Sequence, residues 1–447
     1  MLRRSFLRLV AAGSACSAGS YFPVTSKAQA AIPGTVTWGG AYLLDDQTND
    51  MPNTKTALSL NSSSSPTGQS VNSAILEAIR NSDWPAAGID LRTGLKRKIT
   101  RYGMSFGLAR ESVLQNGYRP HRDKTVFSLR VIGYNTIFDF QERRIISAFA
   151  VRGRYFQALK GRVGEKALPN LFFDLLANRD NSGSIARFMT DLALDYEYEI
   201  KYRGKNFRYV ETVVSPFASK AADLIDLDLK THDRNLGFMV STAFSEKMRV
   251  PVIPYLKTSI TRNVTREMVV ATTSGDSLLN TSLPFSVAEI EIRVIDHGWE
   301  FKESEVQLKK TTDSGAGEYV KQDFYQLQVA LGARLELQFL EVETGQKLYT
   351  QQFGGRWTFL EYAETEFQMS RKSRLYMLHE TIIDRAMESI NNEDLRGRLY
   401  DGLDIDIKND TGKLIETYYL EALADDWDVL SAECAAIIKQ LPRAFGA

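Results

Sequence analysis

At 447 residues and 43% hydrophobic content the chain is long enough for two or three domains, each with its own core. Lys and Arg together number 55 and Asp and Glu 55, so there is no basic excess to neutralise phosphates, which excludes the simplest nucleic-acid binder. No uninterrupted apolar run approaches the roughly 20 residues of a membrane-spanning helix.

The first thirty residues read as an export signal to be removed. Arg3, Arg4 and Arg8 open it, a modest apolar segment follows through Leu9, Val10, Ala11 and Ala12, and Ala28-Gln29-Ala30 closes it as a small-x-small cleavage site. The run Arg3-Arg4-Ser5-Phe6-Leu7-Arg8 resembles a twin-arginine signal, with an ordinary secretory signal as the alternative. Lipidation at Cys16 fits less well, because Gly13 stands where such signals carry Leu. Losing Arg3, Arg4, Arg8 and Lys27 would leave 51 basic against 55 acidic side chains and Cys434 as the sole cysteine. The expected mature protein is therefore periplasmic and without an internal disulfide, and Cys434 is expected to pack as a small hydrophobe.

Residues 31–68 read as an extended N-terminal segment ending in the polar run Asn61–Gly68. A first α+β domain is expected over 69–214. Val71, Ile75, Leu76 and Ile79 have helical spacing, and the basic stretch Arg92, Lys96, Arg97, Lys98 and Arg101 reads as the wet face of an element, with an anionic-lipid or nucleic-acid patch as the alternative. From Phe127 to Phe156 the pattern is that of a long hairpin broken at Gln141-Glu142-Arg143-Arg144, and helices follow near Leu168–Ala177 and Ile185–Leu194.

A second α+β domain is expected over 215–397. It opens with a helix near Leu236–Lys247 and a proline-flanked edge strand at Val250–Tyr255, with further strands at Val264–Thr272 and Ala288–Asp296. Apolar residues then fall on every second position from Tyr325 to Phe339, with Gln326, Gln328, Arg334, Glu336 and Gln338 between them, so one sheet face is buried and the other wet. The turn Glu343-Thr344-Gly345-Gln346 leads back, and Leu375, Leu378, Ile382, Ile383, Ala386, Met387 and Ile390 mark a helix with one apolar stripe. This turn lies 203 positions after Glu142, and both hairpins precede helices, which points to two related hairpin-helix domains. Residues 398–447 are expected to add a C-terminal helical extension. The fold class is α+β, with mixed and antiparallel sheets and long hairpins packed by helices.

Little of the chain carries recognisable chemistry. His121, His232, His297 and His379 show no metal-ligand spacing, and no phosphate-cradling loop occurs, so no cofactor is expected. Asn178, Asp180 and Ser182, with Gly183 and Ile185, resemble the calcium loop of the EF-hand family, although Met189 stands where that family supplies a bidentate Glu. Calcium binding and a capped helix-helix turn remain alternatives there. Tyr349, Phe353, Trp357 and Tyr362 are candidate partner-binding aromatics. Asp404, Asp406 and Glu361 are the acidic residues that a dispersed hydrolase site would draw on.

Residues 236–395 resemble the periplasmic α/β domain of the curli-secretion-channel family and related envelope assembly proteins. The likeness rests on the element order and on Glu341-Val342-Glu343-Thr344-Gly345-Gln346-Lys347-Leu348, which matches that family's Glu-x-x-Thr-Gly-x-x-Leu segment between strands. The resemblance implies a non-enzymatic scaffold or adaptor supporting a cell-envelope structure or secretion apparatus. Its partners would be envelope proteins, including those of the outer membrane, or further copies of itself. A twin-arginine-exported hydrolase and a calcium-dependent binding module are the alternative functions.

Overall fold

The computed structural model describes residues 35–43, 51–60, 63–81, 90–93, 102–117, 124–139, 144–160, 163–178, 180, 184–192, 207–248, 250–253, 269–270, 277–278, 288–308, 324–362, 370–390, 392–408 and 414–423. Helices and mixed sheets alternate throughout, giving an α+β fold. None of the described helices is long and apolar enough to cross a membrane.

The chain runs twice through one series of elements. The first pass is β1 (Thr35–Leu43), α1 (Pro52–Ser59), α2 (Val71–Arg80), β2 (Asp90–Thr93), the long strands β3 (Tyr102–Gly117), β4 (Lys124–Asp139) and β5 (Arg144–Lys160), then α3 (Leu168–Ala177) and α4 (Ile185–Leu192). The second is β6 (Phe207–Val214), α5 (Pro216–Leu224), α6 (Leu229–Ala243) and β7 (Val252–Ile253). A small ladder of β8 (Val269–Val270) and β9 (Ser277–Leu278) intervenes before β10 (Ile290–Leu308), β11 (Phe324–Glu341), β12 (Lys347–Tyr362), α7 (Arg371–Ile390) and α8 (Glu393–Asp401). Two further strands, β13 (Leu403–Lys408) and β14 (Leu414–Leu423), extend the second sheet.

Sheet order repeats with the series. The first sheet is β2-β1-β3-β4-β5 and the second is β7-β6-β10-β11-β12-β14-β13. In each, the opening strand lies parallel to both its neighbours, and the three long strands pair antiparallel. Parallel neighbours need a crossover connection, which α1 with α2 supplies in one half and α5 with α6 in the other.

These pairings stack four layers. Helices α1 to α4 cover one face of the first sheet, burying Trp38, Phe106, Phe127, Leu129, Phe172 and Phe173. The other face meets the second half: Tyr134, Ile132 and Ala150 pack against Phe238 of α6. Helices α6 and α7 in turn cover the second sheet, where Val329, Leu331, Leu335, Leu337 and Phe339 meet Leu375, Leu378, Ile382 and Met387. The opposite face of the second sheet is met at one rim by Phe217 in the first turn of α5.

Local chemistry accounts for the central hairpin. The period-two pattern of β11 puts its odd-numbered residues on the α7 side and leaves Arg334 exposed. Gly345 takes φ +68° in the turn, and its N–H donates to the Glu341 carbonyl at 2.8 Å, closing the hairpin that the Thr-Gly pair marks. Thr344 Oγ1 donates to Glu341 Oε2 at 2.8 Å, adding a side-chain clasp.

Several boundaries differ from the sequence expectation. Within 31–68, β1 is an interior strand with Trp38 2% exposed, because its parallel neighbours flank it on both sides. Strand β6 lies before the expected boundary at 215 yet belongs to the second sheet. Residues 403–423, expected within a helical extension, form β13 and β14, whose pairing with β12 continues the antiparallel ladder. The C-terminal helix expected near Trp427–Ile438 and Cys434 lie outside the described residues.

Candidate functional site

The open face of the second sheet carries a groove of about 680 Å³ lined by Phe217, Gly332, Arg334, Gly354, Arg356 and Tyr419, among others. Register explains its shape. On one row Gly298 faces Arg334, which faces Gly354, which faces Glu421; on the next, Glu300, Gly332, Arg356 and Tyr419 stand side by side. Glycines between long polar side chains leave the floor at backbone level, and among the described residues a Cβ at Gly332 would meet just the Gly355 carbonyl oxygen, at 3.9 Å.

Both ends of the groove are built. A bulge between Asp296 and Gly298 turns Asp296 toward the helices and His297 toward the groove. Gly298 takes φ +120°, and a Cβ there would lie 2.3 Å from the Phe217 ring, so only glycine fits. Phe217 projects from the first turn of α5 and is 62% exposed, held by Ser215, which caps the helix through Ala218 N and donates to His297 O at 3.0 Å. At the far end Glu421 covers Gly354, and Tyr419 donates to it at 3.3 Å.

The groove's polar flank centres on Glu336. Its carboxylate accepts from Gln338 at 2.5 Å, Thr350 at 2.9 Å and Gln352 at 3.2 Å, and lies 3.0 Å from His297 Nε2. Burial alone would raise this carboxyl; the bonds from Gln338, His297 and Thr350 outweigh it and hold it below its ordinary value. Arg334 and Arg356 are exposed and make no ion pair among the described residues. The floor thus offers two guanidiniums beside an exposed aromatic ring, a combination suited to carboxylate and apolar groups of a partner.

Comparison with protein-family models finds no match, and comparison with curated proteins finds none either. The reading of the groove therefore rests on its own chemistry.

A second constellation lies on the opposite, helix-covered side of the same sheet. His232 of α6, Asp296 of β10 and His379 of α7 are fully buried, and one donor atom from each falls within 4.8 Å of the others. His232 Nε2 is 2.7 Å from Asp296 Oδ2, while Asp296 Oδ1 accepts from Gly298 N at 2.8 Å. Tyr376 stacks on the His232 ring at 5.8 Å, and Trp299 meets the His379 ring edge-on at 6.2 Å. Burial pushes the His379 imidazole down to about 4, with Asp296 opposing the fall and His232 adding a little to it. Two histidines without ligand-like spacing in the sequence thus become neighbours through the topology. The same bulge serves both faces of β10.

The residues singled out from the sequence fare differently. Tyr349, Phe353 and Trp357, read as partner-binding aromatics, are 2%, 4% and 1% exposed and belong to the core. Their alternate positions on β12 face α7, where Tyr349 stacks on Phe339 at 4.7 Å and Trp357 on Tyr418 at 5.3 Å, which accounts for their burial. The side chain of Tyr362 lies outside the described residues. At the expected calcium loop, the Asn178 carboxamide oxygen accepts from Asp180 N at 3.0 Å and its nitrogen donates to Asp174 Oδ1 at 2.6 Å. Asp180 is exposed, and Ser182 lies outside the described residues. Asp404 and Asp406 point to solvent from the edge strand β13, Asp406 accepting from Thr417 at 3.1 Å; the Glu361 side chain lies outside the described residues.

Proposed function

We propose that the protein is an exported, non-enzymatic scaffold or adaptor of the cell envelope, which holds an extended, acidic segment of a partner protein in the groove of its second sheet. The observation that carries this reading is the groove itself: a glycine floor, the exposed guanidiniums of Arg334 and Arg356, and Phe217 standing 62% exposed at its rim. An extended chain could lay a carboxylate on either arginine and an apolar side chain on the phenyl ring, with the backbone close to the floor at Gly332. The compartment rests on the signal-like residues 1–30, and the class of role on the resemblance of residues 236–395 to envelope assembly proteins. A layered body tied together across its middle helices would keep such a groove rigid, which lowers the cost of binding.

Capture from envelope extracts tests the reading. The wild-type chain is expected to retain a defined partner, and the double variant Arg334→Glu with Arg356→Glu to lose at least tenfold of that retention without a change in melting temperature. Lys166→Glu, an exposed charge in the first half, should leave capture unchanged. A partner held equally well by the double variant, or a wild-type chain that stays monomeric and alone in the soluble fraction, would overturn it.

A further inference from the structure

We propose that His232, Asp296 and His379 bind one divalent transition-metal ion of the zinc type, which pins helices α6 and α7 to strand β10. Two imidazole nitrogens and one carboxylate are a donor set that suits zinc and its first-row neighbours rather than calcium or magnesium, whose ligands are oxygens. The three residues come from three separate elements and meet at a point with no exposure of any of them. Protein interiors rarely leave polar atoms without partners, so the hydrogen bonding at this point decides the matter.

Among the described residues, neither ring nitrogen of His379 has a hydrogen-bond partner, and His232 Nδ1 has none. A buried imidazole with both nitrogens idle is a poor core residue: Leu or Met would fill the volume with no lone pair to satisfy. An ion would use that lone pair. Donor atoms about 2.0–2.1 Å from a tetrahedral ion stand roughly 3.3 Å apart. The present 2.7 Å between His232 Nε2 and Asp296 Oδ2, and the 4.8 Å limit for the set, bracket that separation. Small shifts of the three side chains would therefore complete the site.

The carboxylate of the set is held in place. Asp296 Oδ1 is fixed by the Gly298 N–H, leaving Oδ2 to point inward, and the rings of Trp299 and Tyr376 close the site against water. With three protein donors, a fourth position is left for a small ligand, but full burial makes the site a structural clamp. Asp296 sits at the bulge whose other side shapes the groove, so metal loading would also steady His297 and Gly298.

Metal analysis of the purified full-length chain tests this. After chelator treatment and addition of zinc chloride alone, one zinc per chain should be retained through gel filtration and the melting temperature should rise. Cobalt chloride should give the visible ligand-field bands of a nitrogen- and oxygen-coordinated ion. His379→Gln should weaken zinc binding at least a hundredfold, whereas His297→Ala, one residue from Asp296 but turned to the other face, should retain it. A folded wild-type chain that retains no zinc or cobalt and shows no thermal shift overturns the proposal, as does stoichiometric zinc in folded His379→Gln. Should His379→Gln fail to fold, the wild-type zinc stoichiometry and cobalt spectrum decide alone.

Discussion

Glu336 has four neighbours that either donate to its carboxylate or lie within bonding reach of it, and that concentration has a consequence for pH. Its carboxyl is held below the ordinary value in the folded chain, so the folded state favours the charged form. The stabilisation is complete above the unfolded carboxyl value, roughly 4.3, and is lost as pH falls through the lower folded value. Glu336→Gln should therefore lower stability at neutral pH and flatten the acid limb of the stability curve, as measured by urea unfolding between about pH 3 and 7. An unchanged acid limb would remove Glu336 from the account. At this same scale the sequence was least informative. Glu336 looked like one more wet-face residue of an alternating strand. Only its register opposite Gln352, and the bulge that turns His297 outward, collect its partners.

At the scale of elements, packing between β12 and α7 sets the position of the groove floor. Gly355 faces the helix, and a Cβ there would lie 2.6 Å from Cγ1 of the buried Ile382, too close unless one of the two shifts. Gly355→Val should cost about 1–3 kcal/mol by overpacking. Adding Ile382→Ala should recover part of that loss, a coupling that a double-mutant cycle reads directly. Additive losses would show that the two positions do not meet.

The elements legible in the sequence share one property: their pattern is local. Helix α7 shows its stripe at three- and four-residue spacing, and β11 alternates without a break from Val329 to Phe339. Strands β1 and β6 were not legible, because each gains its place from parallel neighbours distant in sequence. β1 carries Gly39-Gly40, and β6 places Arg208 and Glu211 among its apolar residues. The aromatics of β12 are visible in the sequence, but their burial is not. Tyr349, Phe353 and Trp357 occupy odd positions of a strand with one dry face, and alternation alone does not say which face is dry. The burial of His232 beside His379 depends on α6 and α7 sharing one sheet face, which no spacing between positions 232 and 379 could reveal.

At the scale of the whole molecule, the two halves are joined by charge as well as by apolar contact. Arg152 of β5 is buried and reaches Glu246 Oε2 at 2.6 Å, Asp384 Oδ1 at 3.3 Å and Glu380 of α7. Arg130 and Arg154 also pair with Glu380. Burial alone would lower the Arg152 guanidinium, but Glu246 and Asp384 hold it above its ordinary value. Removing this arginine takes away the buried cation that Glu246, Glu380 and Asp384 share and leaves Glu380 and Asp384 to the more exposed Arg130 and Arg154. Arg152→Met should cost about 3–5 kcal/mol, since breaking a buried pair from one side strands the other partners. Calorimetry should show one transition in the wild type and a split, with an earlier component, in the variant. A single unshifted transition would mean that apolar contacts around Phe238 join the halves unaided.

The same connectivity in both halves also frames why the groove lies on the second sheet. The far face of the first sheet is occupied by α6 and α7, whereas the corresponding face of the second is met at its rim by the first turn of α5. The first sheet is thus covered on both faces, by α1 to α4 and by the second half, whereas the second sheet has its groove on the face away from α6 and α7. Site-specific photo-crosslinking reads this most directly: a photoreactive residue placed at Arg356 in the groove, compared with one at the exposed Lys166 of the first half, in exporting cells. The account predicts a discrete adduct from position 356, lost when Arg334→Glu is added, and none from position 166. Adducts from position 166 alone, or from 356 regardless of Arg334, would contradict it.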